Sequence, residues 1–136
     1  MNNILLTGGA GYIGSHITEL LSKKKSNNVF ILDNLSTGYE VLINKNSNFF
    51  KGDINDTKLI KKIIKKYNIE TIIHLAAALN VSEAELNKKK YNKINIRGTK
   101  NLILSCKKTK VKNFIFSSSS SIYGNIKGSV DEKKKT

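Results

Sequence analysis

"TGGAGYIGSH", Thr7–His16, is the stretch of the sequence that decides the fold. It satisfies G-x-G-x-x-G through Gly9, Gly11 and Gly14, and it also satisfies G-x-x-G-x-x-G with Gly8 as the first glycine. Because glycine has no side chain, the backbone of such a turn can approach a phosphate closely, and the following helix offers free N–H groups to it. The stretch therefore predicts a turn between a strand and a helix that holds a pyrophosphate; a plain glycine-rich turn is the alternative.

An acidic residue follows where a dinucleotide site requires one. Asp33 ends the apolar run Asn28–Asp33 and lies about 20 residues after the last glycine of the turn. A carboxylate there can accept hydrogen bonds from both hydroxyls of an adenosine ribose, and it would repel a 2′-phosphate. The spacing favours NAD over NADP as the cofactor; the alternative is that Asp33 is an ordinary turn residue.

The rest of the sequence alternates short apolar runs with helical patterns, which is typical of βαβ units around a parallel sheet. The predicted strands are Asn3–Thr7, Asn28–Asp33, Asn48–Asp53, Thr71–Ala77 and Asn113–Ser118. With right-handed crossovers they give an α/β fold of the Rossmann type, a doubly wound parallel sheet of five strands in the order 3-2-1-4-5. Without a sixth strand, the fifth would be an open edge of the sheet.

Helical segments are predicted between these strands. The first runs from Tyr12 towards Lys25, and the second begins after Asp56, a good N-cap residue. The second carries lysines on one face and, on the other, an apolar stripe formed by Leu59, Ile60, Ile63, Ile64 and Tyr67. A third helical region precedes the last strand, and its predicted inner face consists of Ile94, Ile96, Leu102 and Ile103.

The net charge of +14 raises the question of a nucleic-acid partner. Of the 24 basic residues only Arg97 is an arginine, whereas recognition of grooves and phosphates favours the arginine fork. The lysines are scattered in small clusters over predicted helix surfaces and loops, and an A- and T-rich coding sequence would account for them. We therefore expect no nucleic-acid partner.

The apolar runs, the cysteine and the histidines of the sequence indicate the cellular location and the absence of a metal site. No apolar run reaches the roughly 18 residues of a membrane span, and no basic segment precedes the first apolar run as in a signal peptide. The single cysteine, Cys106, excludes an internal disulfide and is expected to be a buried small residue rather than a nucleophile. His16 and His74 have no partner at metal-ligand spacing, so we expect no metal. We expect a cytoplasmic protein without membrane contact.

Six segments, in order along nearly the whole chain, resemble one family. They are "TGGAGYIGSH", "VFILDNLSTG", "FFKGDIND", "IIHLAA", "NIRGT" and "FIFSSSSSIYG". On these motifs the sequence resembles the extended short-chain dehydrogenase/reductases, and among them the NAD-dependent sugar-nucleotide epimerase/dehydratase family of the UDP-glucose 4-epimerase type. The resemblance covers the N-terminal part of such an enzyme. It implies that residues 1–136 are a single NAD-binding Rossmann domain that stops before the Tyr-x-x-x-Lys segment and lacks the C-terminal substrate domain.

The resemblance implies where NAD would bind. The pyrophosphate would lie on the glycine turn (Gly8, Gly11 and Gly14) and meet the backbone N–H groups of Tyr12 and Ile13. The adenine ribose would be surrounded by the end of the second strand and the turn after it, namely Asp33, Asn34, Ser36, Thr37 and Gly38. Asp53 and Ile54 would recognise adenine. The wall between adenosine and nicotinamide would be formed by Leu75, Ala76 and Ala77.

The resemblance also implies hydride transfer on a nucleotide-sugar substrate. Family members oxidise the sugar at C4, and the hydride returns to the other face of the 4-keto sugar. Ser119 occupies the position of the family's catalytic Ser/Thr, which shares the hydrogen bond of a Tyr made acidic by a Lys. Dehydratases of the group carry acidic residues where this sequence has Ser120 and Ser121, so the serines favour epimerisation. Leu79 and Ile94 replace the Lys and Asn usual in the family.

"YGNIK", Tyr123–Lys127, is the one match to Tyr-x-x-x-Lys in the sequence. The pair must lie at i,i+4 on one helix face, and Gly124 and Asn125 are poor residues for a helix interior. Tyr123 also aligns with the family's "YG" turn, so we predict that this pair is not catalytic and that the chain alone is inactive. The alternatives are a non-catalytic NAD-binding module and another nucleotide-sugar epimerase or reductase of the family, whose full-length members are often homodimers.

Overall fold

A five-stranded parallel sheet forms the centre of the chain in the computed structural model, which describes residues 1–124 and 128–133. The strands are β1 (Asn2–Thr7), β2 (Asn27–Asp33), β3 (Asn48–Lys51), β4 (Thr71–His74) and β5 (Asn113–Phe116). They lie in the order β3-β2-β1-β4-β5, and each neighbouring pair is parallel. The predicted fold class and strand order are confirmed.

Five α-helices accompany the strands in the described part of the chain. They are α1 (Tyr12–Ser22), α2 (Thr57–Lys66), α3 (Val81–Leu86), α4 (Lys88–Tyr91) and α5 (Thr99–Cys106). A π-helical stretch, Asn92–Gly98, joins α4 to α5, so that residues 88–106 form one helical segment. Single 3-10 turns occur at Glu40–Leu42 and Ser120–Tyr123.

Helix α1 covers one face of the sheet. Its Ile17 and Leu21 pack against a buried cluster formed by Ile4, Leu6 and Val29 of β1 and β2. These strand residues are apolar on both faces because helices cover the sheet on both sides, as in other parallel sheets.

The larger part of the core lies on the opposite face, under α2 and α5. Its buried members are Leu5, Phe30, Leu32, Ile54, Ile60, Ile63, Ile64, Ile69, Ile72 and Leu102. Asp56 caps α2, because its carboxylate accepts a hydrogen bond from the N–H of Leu59 (2.9 Å). All lysines of α2 are exposed, whereas its isoleucines, Ile60, Ile63 and Ile64, are buried. This confirms the predicted amphipathic helix.

The strands of the sheet end together at their carboxyl edge, earlier than predicted. β4 ends at His74, opposite Thr7, because β1 has no further residue to pair with. For the same reason β3 ends at Lys51, opposite Asp33, and β5 ends at Phe116, opposite His74. The residues after these positions form the loops of the carboxyl edge, so three predicted strand ends are wrong, at Asp53, Ala77 and Ser118.

Helix α1 also ends early, at Ser22, and the predicted end at Lys25 is wrong. The carbonyl of Leu21 accepts hydrogen bonds from the N–H of Lys24 (3.2 Å) and from the side-chain amide of Asn27 (3.1 Å). These bonds satisfy a carbonyl at the helix end and turn the chain into β2.

The predicted inner face of the 88–106 segment is half wrong. Ile94 and Leu102 pack into the core, but Ile96 and Ile103 are 65% and 47% exposed. The positions that face the core, Ile94, Gly98 and Leu102, follow one another at intervals of four residues along one face of the segment, and Ile96 and Ile103 lie off that face.

Strand β5 lies at one edge of the sheet, as expected, and pairs with β4 alone among the described strands. Its Ile115 and Phe116 are 54% and 55% exposed, so an apolar surface accompanies the open edge. Among residues 1–124 and 128–133, no helix is long and apolar enough to cross a membrane.

Truncation of the α2 stripe is expected to destabilise the chain strongly. Ile60 is fully buried, and Ile60→Ala should lower the free energy of unfolding by about 2–5 kcal/mol because it leaves a cavity. Urea unfolding followed by circular dichroism measures the change. The matched control is Lys61→Ala on the exposed face, which should change stability by less than about 0.5 kcal/mol. Equal losses in the two variants would contradict the assigned orientation of α2.

Candidate functional site

The glycine turn brings the backbones of β1, α1 and β4 into close contact. Gly8 has a φ of 77°, and a Cβ there would lie 2.7 Å from the backbone nitrogen of Ala76. A Cβ on Gly14 would overlap the carbonyl oxygen of Gly8. Both positions therefore require glycine for folding alone.

Gly11 differs from these glycines, because the fold does not need it. A Cβ on Gly11 would meet only the carbonyl oxygen of Gly8, at an ordinary contact distance of 3.4 Å. Its φ of −81° is open to any residue. A glycine at this position leaves space over the turn, where a bound group could approach the backbone.

The first turn of α1 is suited to an anion. The first intrahelical bond runs from the N–H of Ser15 to the carbonyl of Gly11 (2.9 Å), so the N–H groups of Tyr12, Ile13 and Gly14 have no partner within the helix. Gly11 supplies no side-chain cap, and the first turn contains no acidic residue. Tyr12 and Ile13 are 78% and 60% exposed, so the first turn of α1 is open to solvent. Unpaired N–H groups and the positive end of the helix dipole favour a phosphate here.

Asp33 fastens this turn to the end of β2. One carboxylate oxygen accepts from the N–H of Ala10 (3.0 Å), and the other accepts from the N–H of Leu35 (2.8 Å), which has a φ of 59°. Asp33 is 8% exposed. Each carboxylate oxygen can accept a second hydrogen bond, so a ribose contact remains compatible with these two bonds. The predicted ribose role of Asp33 stays a prediction.

The loops after β2 and β3 meet beside Asp33. The side-chain amide of Asn34 donates to Asp53 (3.0 Å), and Asn55 donates to the other oxygen of Asp53 through its N–H (2.8 Å) and its amide (3.0 Å). Burial raises the pKa of Asp53, but the hydrogen bonds from Asn55 and Asn34 and the nearby charge of Lys93 together outweigh it, so the pKa is lowered. The carboxylate is therefore charged at neutral pH and can accept from an exocyclic amine.

The other two predicted adenosine contacts lie on this side of the site. Ile54 is 6% exposed and packs in the core, so a ligand can reach it only through its backbone. The turn 36–38 lies against the glycine turn, since the N–H of Tyr39 donates to the carbonyl of Ala10 (3.0 Å), and a Cβ on Gly38 would lie 3.0 Å from Ala10. Segments predicted separately thus converge on Ala10.

The predicted wall follows β4 directly. The N–H of Leu75 donates to the carbonyl of Thr7 (3.0 Å), and Ala76 lies against Gly8. Ala77 is exposed. The wall therefore stands beside the glycine turn, on its β4 side.

Asn95 lies behind this wall, and it was not among the predicted site residues. Its side-chain oxygen accepts from the N–H of Ala78 (2.8 Å), and its amide donates to the carbonyl of Ala78 (3.0 Å). The neighbouring Ile94, where the family usually has Asn, packs into the core instead. An Asn between two isoleucines of a helix was the available signal, but only its position in the π-helical stretch shows what it contacts.

His74 is buried at the end of β4, as the structural interpretation of the sequence expected. Its Nδ1 lies 2.6 Å from the hydroxyl of Thr7, and its Nε2 lies 2.9 Å from the hydroxyl of Thr99. Burial lowers the pKa of His74 from 6.5 to about 4, so the imidazole is neutral at physiological pH. Neutral His74 is an internal hydrogen-bonding residue of the carboxyl edge.

Ser119 lies at the same edge of the sheet, after β5. Its hydroxyl accepts from the N–H of Ser121 (3.2 Å) and caps the 3-10 turn Ser120–Tyr123. Within residues 1–124 and 128–133, it has no hydrogen bond to a predicted cofactor residue. The catalytic assignment of Ser119 stays a prediction.

The Tyr123–Lys127 pair is described only in part. Tyr123 is the last residue of the 3-10 turn, and Gly124 after it has a φ of 64°. Asn125 and Lys127 lie outside the described residues.

Cys106 and the acidic residues supply no further chemistry. The thiol of Cys106 is half-buried and donates to the carbonyl of Leu102 (3.2 Å), and burial raises its pKa to about 11. A thiol with this pKa is a poor nucleophile at neutral pH. In the part of the chain that the structure describes, no three His, Cys, Asp or Glu side chains are grouped so as to hold a metal ion.

Comparison with known proteins gives consistent relatives. The model of the NAD dependent epimerase/dehydratase family matches residues 4–136. The chain is 41% identical over 132 residues to the UDP-glucose 4-epimerase of Haemophilus influenzae, covering 91% of this chain and 38% of that protein. It is 39% identical over 131 residues to the dTDP-D-glucose 4,6-dehydratase of Dictyostelium discoideum, covering 91% of this chain and 30% of that protein.

Solved structures give the same picture. The UDP-glucose 4-epimerase of Stenotrophomonas maltophila, with bound NAD and formylated UDP-arabinopyranose, superposes with a TM-score of 0.92 at 30% identity. That match covers 100% of this chain and 43% of that one. The enzyme of Brucella ovis in complex with NAD gives a TM-score of 0.86 at 38% identity, over 92% of this chain and 38% of that one. The chain thus spans less than half the length of these relatives.

Alanine at the two helix-side glycines should destabilise the fold to very different extents. Gly14→Ala is expected to lower the free energy of unfolding by about 3 kcal/mol, because the new methyl group overlaps the backbone of Gly8. Gly11→Ala should cost less than about 1 kcal/mol, because its methyl group meets only an ordinary contact. Thermal and urea unfolding measure both, and a Gly11→Ala variant as unstable as Gly14→Ala would contradict the assigned packing.

Stability is expected to fall as the pH falls through the range in which unfolded histidine gains a proton. Since the pKa of His74 is about 4 in the folded chain and 6.5 when unfolded, the unfolded chain binds more protons between these values. The contribution is fully present above pH 6.5 and decreases towards pH 4. Between pH 6.5 and 5 the loss should be at most about 2 kcal/mol, measured by urea unfolding.

The histidine responsible can be identified with two variants. His74→Gln should flatten the pH dependence between pH 6.5 and 5, whereas His16→Ala, at an exposed position of α1, should retain it. The assignment fails if the pH dependence survives His74→Gln unchanged and disappears in His16→Ala.

Proposed function

The chain belongs to the NAD dependent epimerase/dehydratase family, and we propose that residues 1–136 are the NAD-binding domain of a nucleotide-sugar 4-epimerase of the UDP-glucose/UDP-galactose type. The observation that carries the proposal is Gly11, a glycine that the fold does not require, above three helix N–H groups without an intrahelical partner. A position kept free of a side chain over an anion-binding turn is suited to a pyrophosphate.

The residues around the turn fit the remainder of NAD. Asp33 would accept from the ribose hydroxyls, and the Asn34–Asp53 pair beside it would receive the exocyclic amine of adenine. Ser36, Thr37 and Gly38 would close over the ribose, and the wall 75–77 would line the way to the nicotinamide. A 2′-phosphate would meet the carboxylate of Asp33, so NAD is preferred to NADP.

When bound in the whole protein, NAD would supply the hydride acceptor and donor for reversible oxidation of a sugar at C4, and the residues of the glycine turn, Asp33 and the wall 75–77 would hold it. Ser119 would share a hydrogen bond with the catalytic tyrosine, and its hydroxyl keeps a second lone pair for this bond beside the one that accepts from the N–H of Ser121. Relatives include a dehydratase as well as epimerases. The hydroxyls of Ser120 and Ser121 favour epimerisation, because β-elimination needs an additional acid and base.

We propose that the 136 residues do not contain the catalytic Tyr–Lys pair and that the isolated chain does not turn over a nucleotide sugar. For the whole protein we also propose a cytoplasmic location, no nucleic-acid partner, and a homodimer as one possible assembly of the full-length form. One alternative is a non-catalytic NAD-binding module, which shares the same turn. Another is a different nucleotide-sugar epimerase or reductase of the family, which shares the same cofactor site.

Calorimetric titration of the 136-residue chain tests the proposal. We expect saturable uptake of NAD at one site, weaker uptake of NADP, and no turnover of UDP-galactose. Gly11→Ala should keep the fold but reduce NAD affinity by tenfold or more, a loss of about 1.4 kcal/mol, because its methyl group occupies the space above the turn.

Two controls make the result decisive. Lys61→Ala, on the exposed face of α2, should bind NAD as the unchanged chain does. A double-stranded DNA oligonucleotide titrated at physiological salt should give no saturable binding. If the folded chain takes up no NAD, the proposed function is wrong; if Gly11→Ala binds NAD normally, the assigned turn is wrong.

A further inference from the structure

We propose that His74 is a positioning residue. With Thr7, Thr99 and Asn95 it forms a hydrogen-bond chain that fixes the wall 75–77 and the following Ala78 relative to the glycine turn. The inference rests on the proposed function, since it assigns a role toward the bound dinucleotide.

The direction of each hydrogen bond follows from its neighbours. The hydroxyl of Thr99 donates to the carbonyl of Asn95 (2.6 Å), so toward His74 it can only accept, and Nε2 of His74 must carry the proton. Nδ1 of the neutral ring is then an acceptor, and the hydroxyl of Thr7 donates to it. The chain therefore runs in one sense, from Thr7 through His74 and Thr99 to Asn95.

Each end of this chain reaches the dinucleotide site. Thr7 directly precedes Gly8, the first glycine of the turn. Asn95 holds the backbone of Ala78 by two hydrogen bonds, at 2.8 Å and 3.0 Å, in the manner of a strand neighbour. Beyond His74, the backbone of the wall leaves the sheet. It remains joined to β1 by the hydrogen bond from the N–H of Leu75 to the carbonyl of Thr7 (3.0 Å). Asn95 replaces the missing strand partner.

The π-helical stretch makes this replacement geometrically possible. Gly98 is buried, and a Cβ there would overlap the side chain of Ile54, so the stretch is pressed against the loop after β3. Thr99 holds the carbonyl of Asn95 from the other side. Because π-helical turns are rare and occur most often at functional sites, their presence beside the wall agrees with a positioning role.

The surroundings of His74 keep the chain of hydrogen bonds intact. The ring is 1% exposed, and the rings of Phe114 and Phe116 lie 6.1 Å and 5.7 Å away. Because His74 is buried, its two ring nitrogens depend on their hydrogen bonds with Thr7 and Thr99. Loss of one member leaves the next without a partner and releases the wall.

Thr99 offers the sharpest test, because valine has its shape without the hydroxyl. In the 136-residue chain, Thr99→Val should weaken NAD binding about tenfold, while AMP, which reaches only the adenosine end, should bind with unchanged affinity. Thr99→Ser, which keeps the hydroxyl, should restore NAD binding. Thr71→Val is the matched control: its hydroxyl accepts from Asn113 (3.2 Å) at the opposite end of β4, and its loss should leave NAD binding unchanged.

A spectroscopic signature accompanies the binding data. Imidazole ¹⁵N shifts should show the Nε2–H tautomer of His74 in the unchanged chain and in Thr99→Ser, and a mixture of tautomers in Thr99→Val. An Nδ1–H tautomer in the unchanged chain would overturn the inference, and so would normal NAD binding by Thr99→Val or an equal loss of AMP and NAD binding. Absence of NAD binding by the unchanged chain would instead overturn the proposed function together with it.

Discussion

The close approach of α1 to the turn after β1 is the constraint on which the rest of the structure depends. The backbone of Gly14 lies so near the carbonyl of Gly8 that no side chain fits between them. A side chain on Gly8 would in turn collide with the backbone of Ala76, which follows β4. These contacts fix the position of the start of α1 at the carboxyl edge of the sheet. They also leave the helix N–H groups facing outward, which is why a structural constraint and a binding site coincide in ten residues.

The carboxyl edge supplies the remaining partners because the strands end there together. Thr7, Asp33 and His74 are the last residues of β1, β2 and β4, and each uses its side chain to hold a neighbouring loop or helix. Asp33 binds two backbone N–H groups, and His74 joins two hydroxyls. Polar side chains at strand ends thus give the loops fixed positions that the ladder of strand hydrogen bonds no longer provides.

Charge plays a local role in this arrangement in spite of the large net charge. The pKa of Asp53 is raised by burial and lowered by the hydrogen bonds of Asn55 and Asn34, with the lowering effect larger. Burial also disfavours the charged form of His74, and there it is the cause that lowers the pKa, so His74 is neutral. The site therefore contains a charged acceptor beside the Asn34 loop and an uncharged hydrogen-bond chain behind the wall.

Local periodicity and the spacing of the glycines were enough to predict the alternation of strands and helices and the apolar face of α2, and the rule of right-handed crossovers predicted the strand order. The folded chain was needed to show where each strand ends, which isoleucines of the 88–106 segment are buried, and which groups His74 and Asn95 contact. Strand ends depend on the length of the neighbouring strand, and the buried face of the 88–106 segment depends on the elements against which it packs. The partners of His74 lie 67 and 25 residues away in sequence, so no local pattern identifies them.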